Sequence, residues 1–282
     1  MKHQRKWAFA PAILCAAFAS TIANAEKSDD TLRVAMAEEI LNLYYNYTTK
    51  REYIILAQLT DTTLFSLDPV TQEFNPAVAT GYDYIDETTL DVFLRDDVKF
   101  HDGSILTADD VAYTYNWIVR EDSESNASGT VGRWLDNAEV TGPNTVRFHL
   151  KTVYPLVLRD MAQRIMLRKA DTYDADGVID RDAMAQDLIG TGPYRVVSIE
   201  PGQELILERF DDFFGDQPSI ENVVVRTIPD IGTQQAEIMS GGIDWMFKVP
   251  LDLAQSLGGT PMATHLSGPD LRVAFIVLDA AG

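Results

Sequence analysis

The chain has 282 residues, 43 of them acidic and 23 basic, for a formal net charge of −20. Such a surface repels nucleic acid and anionic lipid; it suits either cationic ligands or plain solvation. The single cysteine, Cys15, lies in a stretch that reads as a cleaved leader, so disulfides, thiol catalysis and cysteine-ligated metal are excluded for the mature chain.

In that leader Lys2, Arg5 and Lys6 precede an apolar stretch, Trp7 to Phe18, and the small-residue site Ala23-Asn24-Ala25. The stretch is too short for a membrane-spanning helix, which needs about 20 apolar residues. Ala12-Ile13-Leu14 before Cys15 are not the small residues a lipid-anchor site requires. The expectation is export to the periplasm as a free protein starting at Glu26.

Thr31 to Ala35 reads as a first strand. An aromatic, polar stretch (Asn42 to Arg51) and a helix from Glu52 to Leu59 follow. Beyond Asn75-Pro76-Ala77-Val78-Ala79, a strand spans Thr88 to Arg95, with Leu90, Val92 and Leu94 on one face. Asp102-Gly103 is a turn, because glycine accepts positive φ at no steric cost. Thr107 and Asp110 have capping-box spacing for a helix carrying Val111, Thr114, Tyr115 and Ile118. A polar loop (Glu121 to Gly132) leads to a hairpin around Thr141-Gly142-Pro143-Asn144 and the strand Val146 to Leu150, and Pro155 suits the first position of a short helix.

Gly190-Thr191-Gly192-Pro193-Tyr194 opens a second hairpin. Its strands are Val196 to Ile199 and Leu205 to Arg209, joined by Glu200-Pro201-Gly202-Gln203. Then come Phe210-Asp211-Asp212-Phe213-Phe214-Gly215, the strand Val223 to Ile228, a helix Thr233 to Ser240, and a strand opening at Gly242-Ile243-Asp244. Leu271 to Leu278 reads as a last strand.

These runs, above all Leu94 to Val111 and Gly190 to Asp244, resemble in content and order the family 5 extracellular solute-binding proteins, the oligopeptide-, dipeptide- and nickel-binding receptors of ABC importers. The likeness covers about Thr31 to Asp244. Leu41-Asn42-Leu43 stands where the family usually has Leu-Asp-Pro, a local departure. The resemblance implies an α/β fold of the periplasmic-binding-protein type, the large three-subdomain variety of type II. Residues 26–60 and 188–262 would form a discontinuous first lobe and 61–187 an inserted subdomain. Residues 263–282 would begin a second lobe that is mostly absent, since the family's members run to roughly twice this length. The expected role is a monomeric receptor, not an enzyme, that captures a peptide in an interlobe cleft and hands it to an ABC permease in the inner membrane, with no cofactor. The same fold for a nickel chelate, an oligosaccharide, an opine or another small solute stays open, and a secreted hydrolase is a remoter alternative.

Other constellations carry less. Asp174-Ala175-Asp176-Gly177-Val178-Ile179 has the centre of a calcium loop, but Thr172 and Ala183 stand where acidic ligands belong. His101, His149 and His265 have no metal-pair spacing. Asp211 and Asp212, adjacent on an extended chain, point apart and cannot flank one bond. Gly190-Thr191-Gly192 lacks the length and lysine of a phosphate loop, and Pro193 removes a donor. No nucleophile elbow or dinucleotide fingerprint is present. For ligand contact the candidates are Tyr45, Asn46, Tyr47 and Thr48 after the first strand, and Phe247 and Lys248 near the end of the later one. Ligands of open α/β sheets sit outside the carboxyl ends of strands, and in the receptors this chain resembles these regions line the first lobe's side of the cleft. Aromatics would supply walls, Asn46 and Thr48 hydrogen bonds, and Lys248 attraction for a carboxylate; core aromatics and a solvated lysine are the alternative.

Overall fold

The computed structural model describes residues 30–43, 45–170, 172, 189–260 and 263–268. The leader, the calcium-like loop apart from Thr172, and the strand expected at Leu271 to Leu278 lie outside them. In chain order the elements are β1 (Thr31–Met36), a 3-10 turn (Tyr45–Tyr47), α1 (Arg51–Thr60), β2 (Phe65–Leu67), β3 (Phe74–Pro76), β4 (Ala79–Asp86), β5 (Thr89–Leu94) and α2 (Ala108–Val119). After them come α3 (Ser128–Val131), β6 (Leu135–Gly142), β7 (Thr145–Leu150), α4 (Val157–Gln163), β8 (Tyr194–Glu200), β9 (Glu204–Arg209), β10 (Asn222–Thr227), α5 (Ile231–Ser240), β11 (Trp245–Met246) and α6 (Leu251–Gly258).

Two larger sheets organise the described residues, beside a two-stranded sheet of β2 and β3. A five-stranded sheet has the order β11-β1-β10-β9-β8. β1 runs parallel to both neighbours, in register from Thr31 opposite Asn222 to Met36 opposite Thr227, and with Ala35 opposite Met246. Strand alternation sends Val34 and Met36 to one face, where they pack with Leu56 and Ala57 of α1, Leu205, Leu207, Val223 and Val225. Ala35 faces the other side, against Ile228, Ile243 and Leu257. The second sheet, β4-β5-β7-β6, is antiparallel throughout. α2 covers it, burying Val111, Tyr115 and Ile118 against Leu90, Val92, Val146 and Phe148.

The local chemistry follows the sequence closely around α2. The Asp110 carboxylate accepts from the Thr107 N–H at 2.7 Å, and the Thr107 hydroxyl accepts from the Asp110 N–H at 3.4 Å, closing the expected capping box. Gly103 has φ +85°, as its turn requires. Elsewhere the structure corrects the expectation. Pro155 lies two residues before α4, whose N-cap is Leu156, so it shapes the approach rather than the first turn. The loop of residues 121–132 holds a 3-10 turn (Glu121–Ser123) and α3. The strand expected from Gly242 begins only at Trp245, because Asp244 instead clamps β1: it accepts from the Arg33 N–H at 2.8 Å and donates its own N–H to the Arg33 carbonyl at 2.7 Å. β2, β3, β4 and α6 were not anticipated.

The two sheet units meet at a buried, hydrogen-bonded joint. The buried Asp61 and Arg168 side chains pair at 3.1 Å, and Arg168 also donates to the Ile189 carbonyl. Gly192 donates its N–H to the Thr60 carbonyl at 2.9 Å, and Thr62 and Thr191 share a hydroxyl contact at 2.6 Å. His101 faces this joint with both ring nitrogens: Nδ1 accepts from the Gly190 N–H and Nε2 meets the Gly192 carbonyl. A Cβ on Gly190 or Gly192 would overlap the main chain of Thr60, so the glycines are demanded by close approach. The Gly-Thr-Gly run is therefore a packing device.

Candidate ligand-binding site

The carboxyl end of β1 turns into residues 37–43 and then into the 3-10 turn. The Tyr45 hydroxyl anchors that turn, donating to the Met166 carbonyl at 3.0 Å and accepting the Met166 N–H at 3.1 Å. The Asn46 carbonyl accepts the Asn126 N–H at 2.8 Å. A single short turn is thus pinned to two segments of the other unit, the loop before α3 and the chain after α4. Between them lies a recess of about 450 Å³, within the usual size of small-molecule sites.

Tyr45, Asn46, Thr48 and Thr49 form one side of the recess, with Ile54 and Gln58 of α1; Asn126, Ala127, Gln163, Arg164 and Met166 form the other. Its polar surface is dominated by amides and hydroxyls, groups that can both donate and accept. Arg164 is the one charged side chain lining it among the described residues. Its guanidinium is mostly exposed and lies 3.5 Å from the buried Asp160 carboxyl. Burial pushes that carboxyl up from its usual range, while the Trp134 indole N–H donates to it and Arg164 attracts it.

The expected contact residues divide. Tyr45, Asn46 and Thr48 line the recess. Tyr47 turns the other way, donating its hydroxyl to the Ser123 carbonyl at 2.9 Å and setting its ring edge-on to Trp117. Phe247 and Lys248 sit beyond β11, at the carboxyl end of the parallel strands, as the topology requires. Phe247 stacks on Trp245 with ring centroids 5.3 Å apart and packs against the α1 face of the sheet. Lys248, in a left-handed conformation at φ +58°, pairs with Glu52 at 2.6 Å. Glu52 is only 1% exposed and its second carboxylate oxygen has no hydrogen-bond partner among the described residues. Neutralising that buried carboxylate is the ammonium's evident task. Lys50 and Glu38 make a second pair at 2.6 Å on the same rim.

The sequence did not single out Gln58, Asn126, Gln163, Arg164 or Trp245. All but Trp245 are polar residues in unremarkable contexts, assembled only by the pinning of the 3-10 turn. Asp211 and Asp212 pair separately with Arg209 and Lys99, and His149 lies 3.1 Å from Glu139. Among the described residues no helix is long and apolar enough to cross a membrane.

The model of the bacterial extracellular solute-binding proteins, family 5 Middle, matches residues 73–281. The oligopeptide-binding protein AppA of Bacillus subtilis is 28% identical over 218 residues, covering 75% of this chain and 36% of that protein. Two solved structures superpose with TM-scores of 0.73 at 24% identity: AppA of Bacillus subtilis in complex with a nonapeptide, and NikZ of Campylobacter jejuni in complex with Ni(L-His). They cover 81% and 82% of this chain, and the chain spans 46% of each of them. These two likenesses establish the type II periplasmic-binding-protein fold. The chain spans roughly a third to a half of the length of the relatives it matches. The family model covers most of the chain, and the sheet order, the two joined units and the relatives agree with it: the chain belongs to the bacterial extracellular solute-binding proteins, family 5.

Proposed function

We propose that this protein is the substrate-binding component of an ABC-type importer, exported to the periplasm by its leader and capturing oligopeptides or dipeptides for delivery to a membrane permease. The observation that carries the proposal is the recess beside the 3-10 turn: amide and hydroxyl groups at hydrogen-bonding positions, one guanidinium, and apolar walls from Tyr45, Ile54 and Met166. Side-chain amides and hydroxyls match a peptide main chain irrespective of its side chains. Arg164 supplies a partner for a ligand carboxylate, a role Lys248 is poorly placed to fill while it holds Glu52. The described residues furnish one side of a cleft, and hinge closure of a second side over the ligand would remove it from water. Such a receptor performs no chemistry and needs no cofactor.

A second reading keeps the recess and replaces the peptide by a compact anionic solute or a nickel chelate, to which the lone guanidinium is equally suited. Native mass spectrometry of the protein purified from the periplasm, followed by calorimetry with the ligand found, tests both. One-to-one binding of di- to oligopeptides is the expected result. Retention of a metal chelate or sugar acid, with no response to peptides, would replace the first reading by the second.

A further inference from the structure

A groove of about 590 Å³ lies at the far end of the four-stranded sheet. It is lined by Tyr84 and Asp86 at the end of β4, Glu87 of the β4–β5 turn, Leu150 at the end of β7, and Val153, Tyr154 and Pro155 before α4. Tyr84 is 48% exposed and Val153 56% exposed, so large apolar groups are left in water at a defined concavity. The aromatic walls are braced: Tyr154 lies parallel to the buried Trp134, centroids 6.3 Å apart, and Tyr84 is edge-on to Tyr82, itself edge-on to Phe65.

The only charges lining the groove, among the described residues, are the two carboxylates. Asp86 accepts from the Thr88 N–H and hydroxyl and from the Thr89 hydroxyl, which keep its carboxyl below its usual range. Glu87 makes no hydrogen bond or ion pair among the described residues. Two tyrosine rings beside two carboxylates, with no cation among the described lining residues, are complementary to a cation carried on an apolar stem. A guanidinium or ammonium on its aliphatic chain has that shape.

We infer that this groove is a docking site for a partner's basic segment, in which an arginine or lysine side chain enters between Tyr84 and Tyr154 and meets Glu87 and Asp86, with apolar neighbours resting on Val153 and Pro155. The groove shares no lining residue with the recess, and the inference requires nothing of the proposed transport role.

The test is a titration of the isotope-labelled protein with acetyl-Leu-Arg-Leu-amide, read by amide chemical shifts. Its blocked ends remove the carboxylate that Arg164 would hold. The citrulline version, a neutral isostere, is the control. Saturable shifts confined to Tyr84–Glu87 and Leu150–Pro155 are expected, with the citrulline peptide much weaker. Tyr84→Ala and Glu87→Gln should each weaken binding about threefold to fivefold, and Asp216→Asn, at an exposed carboxylate elsewhere, should not. Equal binding of the citrulline peptide, an equal loss in Asp216→Asn, or no shifts at these residues would overturn the inference. Self-association through this face, abolished by Tyr84→Ala with no peptide response, would overturn it too.

Discussion

The joint between the two units and the recess beside it are built from neighbouring stretches of chain, yet they obey opposite rules. At the joint, Thr60, Asp61, Arg168 and the Gly190–Gly192 run are buried and joined by hydrogen bonds, and backbone approaches backbone so closely that two glycines are required. At the recess, Thr48, Gln58, Asn126, Gln163 and Arg164 face an opening. The joint fixes where the recess walls stand; on the proposed reading, the recess residues determine what can bind there. A family can hold the first constant while changing the second, which is why the strongest motifs of this chain name its fold and leave its ligand open.

If that division is right, changes at the joint cost stability and changes at the recess cost binding. The largest expected effect is at Arg168. Arg168→Ala removes the ion-pair partner of the buried Asp61 carboxylate and should destabilise by ~3–5 kcal/mol in urea unfolding; a loss under 1 kcal/mol would show the joint to be loosely held. Gly192→Ala forces a methyl group into the Thr60 main chain, and overpacking of this kind costs ~1–3 kcal/mol. Unchanged stability there would mean that the two units slide easily. Within the four-stranded unit, Thr107→Ala removes half the capping box and should cost ~0.5–2 kcal/mol, measured in the same way.

Acid gives a smaller effect. Burial pushes the Asp102 carboxyl up, but hydrogen bonds from Lys169 and Ser104 outweigh it and hold the group at about 2 against a usual 3.8. A lowered folded-state pKa stabilises above the unfolded value, so this contribution is present above about pH 4 and is lost as pH falls towards 2. Comparing unfolding across that range in the wild type and in Lys169→Met should show a shallower loss in the variant.

How much of this was legible in the sequence follows the same division. The capped α2, the φ of Gly103, β1 and the β8–β9 hairpin were readable because each has a local cause: a side chain that caps, a glycine that turns, an alternation that buries. β4 was not, because it is an edge strand whose residues from Tyr82 to Asp86 leave both faces largely exposed and so carry no alternation to read. The leading position assigned to Pro155 failed because the chain takes a further turn before α4. Tyr45, Asn46 and Thr48 could be nominated from their place after β1. Asn126, Gln163 and Arg164 could not, since they become neighbours of those residues only through the hydrogen bonds of Tyr45 to Met166 and of Asn126 to Asn46. Lys248 was visible as a charge, but its commitment to Glu52, 196 residues away in sequence, was not.

The smallest effect on stability is expected at Arg164, where Arg164→Gln should fall within about 0.5 kcal/mol of the wild type. It also provides the most direct test of the central claim, that the recess and not the joint or the Lys248 rim selects the ligand. Calorimetry with a dipeptide and its C-terminal amide, on the wild type, Arg164→Gln and Lys248→Gln, makes the measurement. The account predicts that the wild type prefers the free carboxylate by about tenfold or more, that Arg164→Gln erases the preference, and that Lys248→Gln lowers stability while keeping it. A carboxylate preference that survives in Arg164→Gln and disappears in Lys248→Gln would contradict the account.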